Sequence, residues 1–116
     1  MLKVINKSTF AGLGGATHLL LGSNQLETIH PEAFTQFGET LLVLDLSKND
    51  LPSSPNALEA LKILQTLDLS DNFINSIVDA PFLRLGNLWR LQLNGNGLEN
   101  VTVGLFKHLK SLQILD

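Results

Sequence analysis

Side chains able to do chemistry are few in this 116-residue chain, and they form no catalytic pattern. Cysteine is absent, and the three histidines, His18, His30 and His108, have no HxxxH or HxxE spacing that would suit a metal. A glycine-rich stretch at residues 12–17 lacks the final glycine of a nucleotide-binding loop and precedes no long helix pattern. The sequence therefore predicts no catalytic residue, no metal site and no cofactor, which argues against an enzyme.

A short block of sequence repeats along the chain and carries asparagine at the same place each time. The block Leu-x-Leu-x-x-Asn-x-(Leu/Ile) occurs four times, and its asparagines are 25, 23 and 24 residues apart. A period in the low twenties with this internal pattern is the signature of a leucine-rich repeat. The four asparagines are Asn24, Asn49, Asn72 and Asn96.

The period divides residues 1–116 into a single repeat array. We predict full repeats at residues 16–40, 41–63, 64–87 and 88–111, with partial repeats at residues 1–15 and 112–116. Solenoid ends need polar caps because a bare terminal coil exposes its core, and this chain has no capping cysteines. We therefore expect an uncapped fragment of a longer array.

Each repeat position has a physical role. The Leu-x-Leu step alternates inward and outward, so it predicts a short strand with its leucines in the core. A two-residue hairpin cannot join parallel strands, so each strand needs a return segment on the opposite side. We predict an α/β-type solenoid: a right-handed leucine-rich repeat superhelix with a parallel concave β-sheet and a mostly irregular or short-helical convex side.

Two internal columns are expected to hold the coils together. Each asparagine amide offers two donors and an acceptor, enough to bridge the backbones of adjacent coils as a ladder. Phenylalanine stands ten residues after the asparagine in three repeats, which predicts a spine of buried rings. These rings are Phe34, Phe82 and Phe106. The second repeat is irregular, with Ser54 at an apolar position and Leu58 and Leu61 as its later anchors.

The outward strand residues are expected to line the concave face and to form a binding surface. They mix small, polar and a few apolar groups, as a protein-docking face does. Trp89 and Arg90 are the most distinctive pair because Trp and Arg are enriched among binding hot spots. The predicted ligand-binding residues are His18, Leu20, Val43, Asp45, Thr66, Asp68, Trp89, Arg90 and Gln92.

Three aspartates share one outward strand position, four residues before the repeat asparagine: Asp45, Asp68 and Asp116. Stacked strands would place them about 4.8 Å apart per coil step, and carboxylates at that spacing can hold a cation. The sequence Leu-Asp-Leu-Ser is, however, common at these positions in repeats of this type. We therefore interpret the aspartates as ordinary surface residues of the repeat.

Charge and hydropathy exclude two classes of partner. The net charge is −3 and no cluster of Lys and Arg is present, whereas nucleic-acid binding needs a basic face. The longest wholly apolar runs, such as residues 41–44, are far too short to cross a bilayer. Any membrane attachment would depend on parts absent from this chain.

Two glycosylation sequons occur, Asn6-Lys7-Ser8 and Asn100-Val101-Thr102. Both fall after the strand segment, in the return part of a coil, where a glycan could face solvent. With ten asparagines in the chain, one or two sequons are also expected by chance. Asn6 and Asn100 are therefore candidate glycosylation sites whose use depends on secretion.

The fourth full repeat resembles the typical 24-residue class of leucine-rich repeats, found mainly in extracellular proteins. It runs from Leu88 through Asn96 and Leu98 to Phe106 and Leu109. In this chain a short repeat that contains prolines lies between repeats that carry the spine phenylalanine. This alternation is similar to that of chaoptin-like adhesion proteins and of the ectodomains of Toll-type receptors. The resemblance implies extracellular protein recognition, by adhesion or by ligand capture.

Together these features predict a non-catalytic extracellular or cell-surface segment that binds a protein ligand, or a homophilic partner, on its concave sheet. An intracellular leucine-rich repeat scaffold is one alternative, favoured by the absence of cysteine. A non-catalytic subunit of a secreted enzyme complex is another. No nucleic acid and no small-molecule cofactor are expected.

Overall fold

A computed structural model of the chain describes residues 2–75, 82, 84–98, 109 and 114–115. Within them, short strands alternate with irregular returns and short 3-10 helices. The strands are Val4–Ile5 (β1), His18–Leu20 (β2), Thr28–Ile29 (β3), Val43–Asp45 (β4), Thr66–Asp68 (β5), Arg90–Gln92 (β6) and Ile114–Leu115 (β7). The 3-10 helices are Thr35–Phe37 (η1) and Asn56–Ala60 (η2).

A five-stranded parallel sheet, ordered β2-β4-β5-β6-β7, runs through the stack of coils. Equivalent repeat positions pair in register, as Leu44 does with Leu67 and Leu67 with Leu91. These three leucines are fully buried, because the middle residue of each three-residue strand points inward. The predicted parallel sheet of a leucine-rich repeat solenoid is confirmed, while the right-handed superhelix remains a prediction.

A second, two-stranded parallel sheet lies in the return segments and was not predicted. Val4 pairs with Thr28 and Ile5 with Ile29, which joins β1 to β3. The signal in the sequence was weak: each strand is two residues long and contains one buried isoleucine. The pairing depends on how closely successive coils approach, which the repeat period does not specify.

The return side is built from apolar residues that differ from coil to coil. Phe10, Phe34 and Phe37 form a ring cluster, with centroids 6.0 to 6.5 Å apart. The next coil carries no phenylalanine there, and Leu58 and Leu61 are fully buried in its place. The phenylalanine spine is therefore interrupted after its first coils. Phe82 is fully buried farther along, and Phe106 lies outside the described residues.

Two leucines assigned to the first partial repeat do not join the core. Ile5 and Phe10 are buried, but Leu2 is 39% exposed and Leu13 is 53% exposed. Both lie in the coil of β1, which is an edge strand of its sheet, so no neighbouring coil covers them on that side. Both leucines therefore lie at the surface of the first partial repeat.

The residue before each repeat asparagine adopts a left-handed backbone conformation. The φ angles are 59° at Ser23, 55° at Lys48, 56° at Asp71 and 76° at Gly95. A positive φ turns the chain sharply away from the strand direction. The strand therefore ends at the same place in every coil, and the following asparagine enters the interior.

The asparagines bridge the backbones of adjacent coils. Asn72 Nδ2 donates to Leu46 O of the preceding coil and to Leu69 O of its own coil, both at 3.0 Å. Asn72 Oδ1 accepts from the backbone N–H of Leu51 at 3.1 Å. Asn49 and Asn96 make the equivalent bonds and are also buried.

The first asparagine makes fewer of these bonds. Asn24 Nδ2 donates to Leu21 O at 3.0 Å, within its own coil, and its Oδ1 accepts from Leu2 N at 3.4 Å. Its side chain is only partly buried. Asn24 therefore makes fewer hydrogen bonds between coils than the asparagines farther along the described stack.

Replacing Asn72 with alanine should destabilise the array. The change leaves the buried Leu51 N–H without its acceptor and removes the donor shared by Leu46 O and Leu69 O. An orphaned buried polar group costs about 1–3 kcal/mol, so we expect unfolding free energy to fall by about 2 kcal/mol or more. Thermal or urea unfolding measures this change in unfolding free energy. Asn75→Ala, at an exposed asparagine, is the matched control and should change stability by less than about 0.5 kcal/mol. Equal melting of the two variants would contradict the ladder.

Gly38→Ala should separate the two 3-10 helices. A Cβ at Gly38 would lie 2.8 Å from the backbone oxygen of Ala60, at the end of η2. Because backbone atoms cannot rotate aside, we expect a loss of about 1–3 kcal/mol in unfolding free energy. Gly14→Ala is the control, since its Cβ would meet no atom within 4 Å. Unchanged stability of Gly38→Ala would show that the helices do not pack this closely.

Candidate functional site

One face of the large sheet is open, and we call it the open sheet face. It consists of the first and last residues of the three-residue strands, because their side chains point away from the core. Those of β4, β5 and β6 are half-buried, whereas His18 and Leu20 in the edge strand β2 are exposed. The open sheet face comprises His18, Leu20, Val43, Asp45, Thr66, Asp68, Arg90 and Gln92.

A shallow depression of about 280 Å³ lies on the open sheet face. It is lined by Leu20, Val43, Leu44, Asp45, Thr66, Asp68, Trp89, Arg90 and Gln92. The fold thus brings together eight of the nine predicted ligand-binding residues, although they are spread over residues 20–92. The ninth, His18, does not line it, although it pairs in register with Val43, and its Nδ1 lies 3.0 Å from Thr17 Oγ1.

The two aspartates in the depression are held by their own turns. Asp45 Oδ1 accepts from the backbone N–H of Ser47 at 2.9 Å and from its hydroxyl at 2.7 Å. Asp68 and Ser70 repeat this arrangement at 2.9 and 2.6 Å. The serine two residues after each aspartate therefore fixes the carboxylate on the sheet surface. Asp116 lies outside the described residues.

Trp89 and Arg90 form one rim of the depression at the entry to β6. The backbone N–H groups of both donate to Gln65 O, at 3.0 and 3.2 Å, which fixes their position against the preceding coil. Trp89 is 36% exposed, so part of its ring is available for contact. Arg90 Nε is buried and has no hydrogen-bond partner among the described residues.

A larger depression lies on the return side and was not predicted. It measures about 660 Å³ and lies beside η1 and η2. Its walls are mostly polar or charged and include no aromatic ring. The lining residues are Pro31, Thr35, Gln36, Gly38, Glu39, Asn56, Glu59, Ala60, Lys62 and Arg84. Little in the repeat pattern indicates it, because these residues occupy return positions that vary between repeats.

The described residues offer little for metal chemistry. No group of three or more His, Asp or Glu side chains placed to hold a metal ion occurs among them. In the same part of the chain, no helix has the length and apolarity needed to cross a membrane.

The first sequon lies in an exposed turn. Asn6 is exposed just after β1, and its backbone N–H donates to Thr9 Oγ1 at 2.7 Å. Its neighbour Lys7 forms an ion pair with Glu32 at 3.2 Å. The side chain of Asn6 is accessible to modification, and its glycosylation remains a prediction. Asn100, in the second sequon, lies outside the described residues.

Comparison with known protein families agrees with this geometry. Two family models described as Leucine rich repeat match residues 1–51 and residues 64–85, together more than half of the chain. The chain belongs to the leucine-rich repeat family. The prediction drawn from the asparagine spacing is therefore confirmed.

Individual relatives are similar over most of this leucine-rich repeat chain. Human leucine-rich repeat-containing protein 66 is 35% identical over 99% of the chain and 13% of its own length. Human leucine-rich repeat transmembrane protein FLRT2 is 35% identical over 97% of the chain and 17% of its own length. Mouse Tsukushi is 37% identical over 77% of the chain and 25% of its own length. The chain thus spans a quarter or less of each of these relatives.

Proposed function

We propose that this leucine-rich repeat segment binds a protein ligand on its open sheet face, without catalysis, as part of an extracellular or cell-surface adhesion or receptor protein. This proposal rests on one observation, which is that eight of the predicted ligand-binding residues line the same depression. In the proposed superhelix this face is the concave one. A homophilic partner belongs to the same proposal.

The way the sheet is held supports a binding role. The asparagine bridges and the parallel backbone bonds fix each strand to its neighbours before any ligand arrives. Side chains on such a rigid support lose little conformational entropy on docking. The mixture of Trp89, Arg90, aliphatic and acidic groups suits a protein surface better than a small apolar ligand.

The relatives support the cellular setting. FLRT2 is, by its name, a leucine-rich repeat transmembrane protein. By analogy we assign this chain to the extracellular part of a secreted or membrane-attached protein.

Trp89→Ala should weaken binding to the protein ligand by about tenfold or more, because tryptophan is enriched among binding hot spots and part of this ring is exposed beside the depression. The ligand is first sought by presenting the chain to a panel of extracellular protein domains, including the chain itself. Affinity is then measured by surface plasmon resonance for the parent and for each variant.

Phe73→Ala is the matched control for this experiment. Phe73 is another large aromatic residue, 66% exposed, and it does not line the depression. Its removal should change affinity by less than about twofold, since truncations away from a hot spot are nearly neutral. If Phe73→Ala weakens binding and Trp89→Ala does not, the ligand binds elsewhere and the proposed face is wrong.

Glycosylation of Asn6 has its own test. When the chain is expressed behind a secretion signal, glycosidase treatment should increase its electrophoretic mobility. Asn6→Gln should remove the glycan at this exposed turn. Asn100→Gln reports separately on the second sequon. Secreted chain that shows no glycosidase-sensitive shift would contradict glycosylation at both positions.

A further inference from the structure

Two acidic side chains occupy the middle of the depression on the open sheet face. Asp45 and Asp68 pair in register on the adjacent strands β4 and β5, which places their α-carbons about 4.8 Å apart. Both are half-buried. On the flanking strands β2 and β6, the equivalent positions carry the uncharged side chains Leu20 and Gln92. The two acidic groups therefore form a local pair within the depression.

Neither carboxylate is neutralised within the described part of the chain. The hydrogen bonds from Ser47 and Ser70 all end on the Oδ1 atoms. No hydrogen bond to either Oδ2 is found among the described residues, and the ion pair there is the distant one between Lys7 and Glu32. Each aspartate thus offers one free oxygen to a ligand.

Apolar groups lie directly beside this acidic pair. Val43 and Thr66 occupy the start of the same two strands, about 7 Å from the aspartates, since two residues of strand span that length. Leu20 is 70% exposed and lines the depression next to Asp45. Arg90 lies on the Thr66 side and makes no ion pair with either aspartate. The lining therefore combines a net negative charge with aliphatic surface.

We propose that the depression binds a long basic side chain, arginine or lysine, from an extended segment of the protein ligand. This inference rests on the proposed function. The hydrocarbon stem lies along Val43 and Thr66, and the charged head binds the free oxygens of Asp45 and Asp68. Long basic side chains cover apolar surface with their stems while their charged ends reach polar groups. An apolar residue of the same segment packs on Leu20. Arginine is favoured over lysine because its guanidinium carries five donors.

A peptide probe tests this pairing directly. A capped hexapeptide of alternating arginine and valine is titrated into isotope-labelled chain, and backbone amide shifts are followed by NMR, which measures weak binding. The amides of Ser47 and Ser70 report on the site because they donate to the two aspartates. Citrulline in place of arginine keeps the shape and removes the charge. We expect at least tenfold weaker binding of the citrulline peptide.

The double variant D45N/D68N should abolish the preference for the arginine peptide. Asparagine keeps the Oδ1 acceptor that Ser47 and Ser70 need, so the fold is retained while both charges are lost. The control E27Q/E39Q removes two charges at exposed positions outside the depression. It should keep the preference within about twofold, because long-range attraction alone is largely screened at physiological salt.

Several outcomes would overturn the inference. These are no binding of the arginine peptide by the parent, equal binding of the citrulline peptide, or equal losses in both double variants. Binding that requires added calcium and disappears with a chelator would indicate a cation site instead. If the protein ligand still depends on Trp89 while the arginine peptide does not bind, the proposed function stands and the basic side-chain site fails.

Discussion

The structure depends on supplying hydrogen-bond partners to backbone groups where each strand turns into the interior. Parallel coils leave carbonyl and N–H groups unpaired at that point, and an orphaned buried group costs about 1–3 kcal/mol. One asparagine per coil resolves this, because its amide donates to carbonyls of two coils and accepts from the N–H of one. The left-handed residue before it delivers the side chain to this position. Strand length, register and spacing follow from this contact.

The same constraint determines which side chains the open sheet face displays and how they are spaced. Inward positions of the strands are occupied by buried leucines, and the next turn is occupied by asparagine, so within this part of each coil only the outward strand positions are free to vary. Residues distant in sequence are held side by side at intervals of about 4.8 Å by the parallel pairing. The aspartates are fixed further by the serines two residues later. The side chains of the open sheet face are therefore displayed at positions fixed by the backbone.

The return side is less constrained than the sheet, and the residues that fill it differ from coil to coil. Phenylalanine rings cluster in the first coils, leucines replace them in the next, and two 3-10 helices of different length lie side by side. Ser54, at a position that is apolar in the other repeats, is buried with its hydroxyl unpaired among the described residues. The exchange of phenylalanine for leucine is tolerated because apolar side chains of similar total volume can fill the coil.

The sequence alone determined the repeat, the positions of the strands and the outward residues, because a period near 24 residues can be satisfied by stacking coils and by little else. Tertiary structure decided what depends on the distance between coils. It paired β1 with β3 and exposed Leu13 at an edge. It also gathered Leu20, Asp68 and Trp89 into one depression while leaving His18 outside. Spacing along the chain fixes which side a residue faces, whereas neighbouring coils decide what that residue meets there.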